Sequence, residues 1–210
     1  MSQIAGTAVD EALQVKLEIL WDEDAESPRE WENLGKMVCW HPRYKLGDRH
    51  GFIDPEEFER FWTEDGGGGV RLPLFLMDHS GLSMSCSDFG DPWDSGQVGW
   101  IYISPTDLAK KYGPTIGSDW YEKYHPGKTV EPIAAECLRG EVRVYDQYLR
   151  GEVYGFVLVS TEPNGDDGFG AFVGNNEVID SCWGFYGDPK DNGMKEHVDP
   201  KYHHLFDEVQ

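Results

Sequence analysis

A chain of 210 residues with 39 Asp and Glu against 18 Lys and Arg carries a formal net charge of −21, a balance that nearly excludes a nucleic-acid partner, whose phosphate backbone calls for clustered cations. Disorder is excluded too, because 39% of the residues are hydrophobic and 13% aromatic, enough to bury a core against self-repulsion. At this length one compact domain is expected, with two small packed lobes as the second choice.

The first residues, Met1 to Gly6, show no basic region followed by an apolar stretch. No later segment approaches the roughly 20 apolar residues of a membrane span. A cytoplasmic protein without membrane contact is therefore expected. From Leu13 to Trp21 apolar and polar residues alternate, which predicts a half-buried strand ending in the like charges Asp22, Glu23, Asp24 and Glu26. Ser27-Pro28 and Asp54-Pro55-Glu56-Glu57 both read as helix starts, with a capping side chain and Pro in the first turn. Phe58, Phe61 and Trp62 then share a helical face, and Gly66 to Gly69 ends that helix in a loop.

Strands are predicted at Val70 to Met77, Leu82 to Cys86 and Gln97 to Ser104, with Asp78-His79-Ser80-Gly81 as the turn joining the first two. Ser104-Pro105 caps a helix through Tyr112, and the longest helix runs from about Val130 to Arg150, with Ile133, Cys137, Val144 and Leu149 near one face and Gly140 a weak point. Further strands are predicted at Val153 to Ser160, Gly168 to Val173 and Val178 to Tyr186. Grouped strands with helices between them, lacking regular alternation, give an α+β class with a mainly antiparallel sheet.

Cys39, Cys86, Cys137 and Cys182 are too scattered for a zinc site and are read as reduced structural thiols. Asp88, Asp91 and Asp94, or Asn164, Asp166 and Asp167, are considered for Ca²⁺ but lack the alternating ligands and terminal Glu of an EF-hand. His197, His203 and His204 are assigned to a frayed polar tail, and Trp93, Trp100 and Trp183 to core packing. Neither a cofactor nor a catalytic residue is assigned. A hydrolase or transferase centre at Asp78 and His79 with Ser80, Ser95 or Cys86 stays open as an alternative.

Two long stretches, Leu72 to Ala109 and Gly151 to Pro189, contain no Lys or Arg. Each would place carboxylates at strand ends without local neutralisation. The segments Pro73 to Gly81 and Pro92 to Tyr102, carrying DHSG and PWDSGQVG, resemble small acidic proteins of phages and bacterial mobile elements, and Asp180 to Tyr186 is a fainter echo of the second. That resemblance implies a setting in which restriction enzymes and CRISPR complexes must be evaded.

Together with the charge it leads to an expectation: an acidic DNA mimic that binds no nucleic acid itself and occupies the surface of a basic DNA- or RNA-binding protein of a host defence system. If phage-encoded, it would act in the host cytoplasm. The partner-binding candidates are Asp22, Glu23, Asp24 and Glu26; Asp54, Glu56, Glu57 and Glu59; Asp91 and Asp94; and Asp166 and Asp167. The other reading left open is a housekeeping protein of a halophile, with acids serving solubility in salt.

Overall fold

The computed structural model describes residues 3–66, 69–113, 123, 129–162 and 177–210. Among them the strands are β1 Ile4–Asp10, β2 Val15–Trp21, β3 Lys36–Cys39, β4 Val70–Asp78, β5 Leu82–Ser85, β6 Ser95–Ile103, β7 Val153–Ser160 and β8 Val178–Tyr186. The helices are α1 Pro55–Phe61, α2 Pro105–Tyr112, α3 Val130–Leu149 and α4 His203–Glu208. All strand pairs are antiparallel, so the class is α+β as the element order implies. The chain divides into two compact units, residues 1–26 with 151–210, and residues 27–150.

The discontinuous unit holds the sheet β1-β2-β7-β8. Period two is visible in β2, where Val15, Leu17 and Ile19 are buried. Leu13 falls outside the strand and is exposed, because Gln14 takes a positive φ of 51° and turns the chain back from β1. That first strand goes unread in the sequence, since Gly6 and Ala8 supply too little side chain to mark a face. Gly155 in β7 is required by packing: a Cβ there would meet the Trp183 ring at 2.2 Å.

The C-terminal residues are no frayed tail. Met194, Tyr202, Leu205 and Phe206 are buried in the core with Leu17, Phe156 and Leu158. Gln210 also exchanges two backbone hydrogen bonds with Thr7, both 3.2 Å. Apolar positions spaced through the polar sequence, rather than its histidines, decide this segment's fate.

The continuous unit is built on the sheet β3-β6-β4-β5, and alternation along β6 gives it two different faces. Ile101 and Ile103 pack with Leu74, Met84 and α3, whereas Trp100 and Tyr102 join Val38, Phe58 and the partly buried Trp40, Phe61 and Trp62 in an aromatic cluster. The face of α3 differs from its prediction. Ala134, Leu138, Val142 and Tyr145 are the buried residues, Cys137 is exposed, and the helix passes unbroken through Gly140. Counting large apolar residues places the stripe about one position off, because Ala134 and Tyr145 carry weak hydrophobic signals.

Ser27-Pro28 opens one 3₁₀ turn, Pro28–Glu30, and no longer helix, while α1 continues as a π-helical stretch, Trp62–Gly66. The strand predicted at Gly168 to Val173 lies outside the described residues.

One buried cation ties this unit together. Arg29, its side chain 4% exposed, donates from Nε and Nη2 to the two Asp48 carboxylate oxygens, both at 2.8 Å. It also donates from Nη1 to Glu141 at 3.0 Å and from Nη2 to the Gly35 carbonyl at 2.7 Å. Burial by itself lowers the guanidinium pKa, but the bonds to Asp48 and Glu141 outweigh it and raise the pKa above its ordinary value. Replacing Arg29 by Met should cost about 3–5 kcal/mol, because two partly buried carboxylates lose their cation. The check is the denaturant midpoint at neutral pH, and a variant unfolding like the parent would show that the network carries little stability.

Candidate functional site

Three of the four acidic clusters lie among the described residues, and they differ in what occupies their carboxylates. On α1, Asp54 Oδ1 accepts from Glu57 N at 2.8 Å, and Glu57 Oε2 accepts from Ile53 N at 2.5 Å. These two acids cap a helix end. Glu59 accepts from Arg71 at 2.9 Å, and the Arg71 guanidinium lies over the Trp62 ring, 5.1 Å from its centroid. Glu56 is exposed. At the start of β6, Asp91 Oδ1 accepts from Trp93 N at 2.8 Å and Asp94 N at 3.1 Å, which holds its carboxyl below the usual carboxylate range.

In the third cluster Asp22, Glu23, Asp24 and Glu26 follow β2, and Glu23, Asp24 and Glu26 are exposed. No hydrogen bond or ion pair engages any of these four carboxylates among the described residues. The Glu26 backbone carbonyl accepts from Tyr186 Oη. Asp166 and Asp167 lie outside the described residues.

This contrast extends to the two units. Residues 1–26 with 151–210 contain 19 Asp and Glu against 4 Lys and Arg, a net of −15, whereas residues 27–150 contain 20 against 14, a net of −6. The excess is therefore concentrated in the smaller, discontinuous unit.

The segment Asp78-His79-Ser80-Gly81 forms the turn between β4 and β5, with positive φ at Ser80 (58°) and Gly81 (154°). Its two titratable side chains have separate partners. Asp78 takes Arg43 in an ion pair and accepts from Tyr44 Oη at 3.2 Å, while the exposed His79 bonds Asp94 through Nδ1 at 2.6 Å. Ser95 Oγ donates to the Asp91 carbonyl at 2.6 Å, and neither Ser80, Ser95 nor Cys86 hydrogen-bonds His79 among the described residues. A base and an acid thus meet here, His79 with Asp94, without a hydroxyl or thiol hydrogen-bonded to the base among the described residues.

Trp93, assigned to the core from sequence, is 91% exposed, and Trp183 is 42% exposed where it lies across Gly155. The Asx turn made by Asp91 fixes the backbone so that Trp93 projects outward. Trp100 alone of the three packs as expected, against Phe58 and Trp40.

Of the C-terminal histidines, His204 bonds Asp10 at 2.9 Å and His203 the Val198 carbonyl at 3.1 Å. Among the described residues no group of three or more His, Cys, Asp or Glu is placed to hold a metal ion, and no helix is long and apolar enough to cross a membrane. Sequence reading passed over Arg29, Asp48 and Glu141, which converge from three distant segments and leave no local spacing to detect. Compared with protein-family models, with curated proteins and with solved structures, the chain has no match.

Two measurements check this geometry. The four cysteines are free thiols, and burial, followed by the field of Asp48, pushes Cys39 up to about 12. At mildly alkaline pH Cys39 should react with a thiol reagent far more slowly than the exposed Cys137, as read by mass spectrometry of labelled peptides; equal rates would overturn its partly buried placement. For Asp91 the sign runs the other way. Its folded pKa is depressed, so its contribution to stability is present above the ordinary carboxylate value of about 3.9 and is lost as pH falls through the lower folded value. A carboxyl-carbon NMR titration should find its midpoint below that ordinary value, and a midpoint above it would break the assignment.

Proposed function

We propose that this protein is an acidic DNA mimic, an inhibitor that occupies the nucleic-acid-binding surface of a basic DNA- or RNA-binding protein of a host defence system, with a CRISPR effector or a restriction enzyme as the expected targets. The observation that carries the reading is the uneven charge. A net of −15 falls on the unit that also bears the four unengaged carboxylates Asp22, Glu23, Asp24 and Glu26. Duplex DNA presents about one charge per 1.7 Å of axis, so a mimic needs many carboxylates whose attraction is not spent internally. The halophile reading calls for an acidic coat spread evenly, which this partition does not favour. No observation favours the hydrolase reading.

Within the proposal the clusters play different parts. Carboxylates on α1 and at the start of β6 are largely occupied by amides, Arg71 and His79. They contribute field without being free to pair anew. Those after β2 are available to meet Lys and Arg of a partner. Steering by such charges accelerates association and weakens as salt rises.

The test is an inhibition assay in which the protein competes with duplex DNA for a CRISPR effector or a restriction endonuclease, at low and physiological salt. Changing Asp22, Glu23, Asp24 and Glu26 together to Asn and Gln should slow association several-fold at low salt, with the difference shrinking at higher salt. Any one of those changes should have little effect, because exposed charges are screened. If the quadruple variant inhibits like the parent at both salts while His79→Ala abolishes activity, the mimic reading falls.

A further inference from the structure

The segment from His41 to His50 runs against the character of the chain. It carries His41, Arg43, Lys45, Arg49 and His50 against one acid, Asp48. Arg29 and the Met37 amide occupy Asp48, and Asp78 occupies Arg43. Lys45 and Arg49, both exposed, have no carboxylate partner among the described residues. In a protein where acids outnumber bases about two to one, that is an unusual pair of cations.

Both cations line one concavity of about 1210 Å³, wholly within the unit 27–150, whose walls include the rings of Trp40, His41, Tyr44 and His50. His41 and Tyr44 are stacked, with centroids 4.9 Å apart and planes 12° from parallel. Among the described residues two buried side-chain polar atoms lack any hydrogen-bond partner, Trp40 Nε1 and His50 Nδ1, and both belong to walls of this concavity. A buried polar group without a partner is unfavourable, so two in one wall call for a reason. Their chemistry is complementary. His50 Nε2 faces the Cys39 carbonyl at 3.1 Å and must donate to it; the tautomer that does so carries Nδ1 as an acceptor, on a ring in edge contact with Trp40.

We propose that this concavity binds a mononucleotide-like ligand, a small organic phosphate with a planar, hydrogen-bonding ring. The phosphate pairs with Lys45 and Arg49. The ring lies among the aromatic walls and offers an acceptor to Trp40 Nε1 and a donor to His50 Nδ1, on two rings in edge contact, 4.9 Å between centroids. One phosphate is neutralised locally, whereas a polynucleotide would meet the repulsion of the whole chain. The proposal is independent of the inhibitor reading and can fail without it.

The experiment uses the full-length protein labelled with ¹⁵N, following the indole N–H resonances of its 8 Trp residues, with Trp40→Phe identifying the Trp40 signal. The probes are guanosine 5′-monophosphate, whose base supplies an adjacent acceptor and donor, and as separate arms guanosine, ribose 5-phosphate, inorganic phosphate and a short single-stranded oligonucleotide. The monophosphate should shift the Trp40 signal saturably at low salt. Guanosine, ribose 5-phosphate and inorganic phosphate should each bind at least about tenfold more weakly, the equivalent of roughly 1.4 kcal/mol.

Lys45→Ser with Arg49→Ser should weaken the monophosphate by a similar factor while the remaining indole signals stay in place, since both side chains are exposed and the fold does not rest on them. A Trp40 signal that does not move, an affinity unchanged in the double variant, inorganic phosphate binding as tightly as the nucleotide, or an oligonucleotide binding more tightly than the monophosphate would each overturn the proposal.

Discussion

The guanidinium of Arg29, held by four hydrogen bonds, is the constraint on which the continuous unit depends. One side chain accepts the loss of water because its fork finds Asp48, Glu141 and the Gly35 carbonyl in fixed directions. The two carboxylates spend their remaining capacity on backbone donors, Met37 N for Asp48 and Leu34 N and Gly35 N for Glu141. A satisfied network of this kind is directional, so it pins a turn, the start of β3, the loop at Asp48 and the middle of α3 to one arrangement. Gly47 completes it. Its φ of +68° turns the chain beneath Met37, and a Cβ would lie 2.9 Å from the Met37 carbonyl.

Acidic residues therefore do two kinds of work in this protein. Some are internal fasteners, such as Asp146 accepting from Ser83 Oγ and Met84 N at 2.7 Å, or Asp10 holding the β1–β2 turn through Ala12 N and Leu13 N. Backbone amides and guanidinium groups hold these anions in place and offset the crowding of like charge. Others, notably the run after β2, have no such compensation among the described residues. Total charge hides this distinction, since a paired and an unpaired carboxylate count the same in the sequence but leave very different fields outside the molecule.

Much of the fold was legible because its signals are local. Alternation marks β2, an unbroken apolar run marks β7, and Asp54-Pro55 and Ser104-Pro105 mark helix starts with side chains that do cap them. The Asp78 to Gly81 turn follows from residues that tolerate positive φ. What escaped depends on distant partners. β3 is four residues long, with Met37 buried toward α3 and Val38 toward the aromatic cluster, so it shows no polar face. Trp93 looks like a core residue until the Asx turn that exposes it is known. The candidate carboxylates could be named from sequence, but which ones were already engaged could not, because Arg71 meets Glu59 and His79 meets Asp94 only through folding.

The pairing of β2 with β7, Val15 opposite Ser160 and Trp21 opposite Tyr154, sets an order of events during synthesis. β2 leaves the ribosome long before its partner, since residues 27–150 are made between them. Until then it has β1 on one side and an open edge on the other, with Leu17 and Ile19 uncovered. Such an edge invites pairing with another nascent chain. Asp22, Glu23, Asp24 and Glu26 stand directly at its end, where clustered negative charge repels an identical strand arriving alongside. The same four carboxylates that no described residue engages are thus placed to guard a strand whose second partner is made much later.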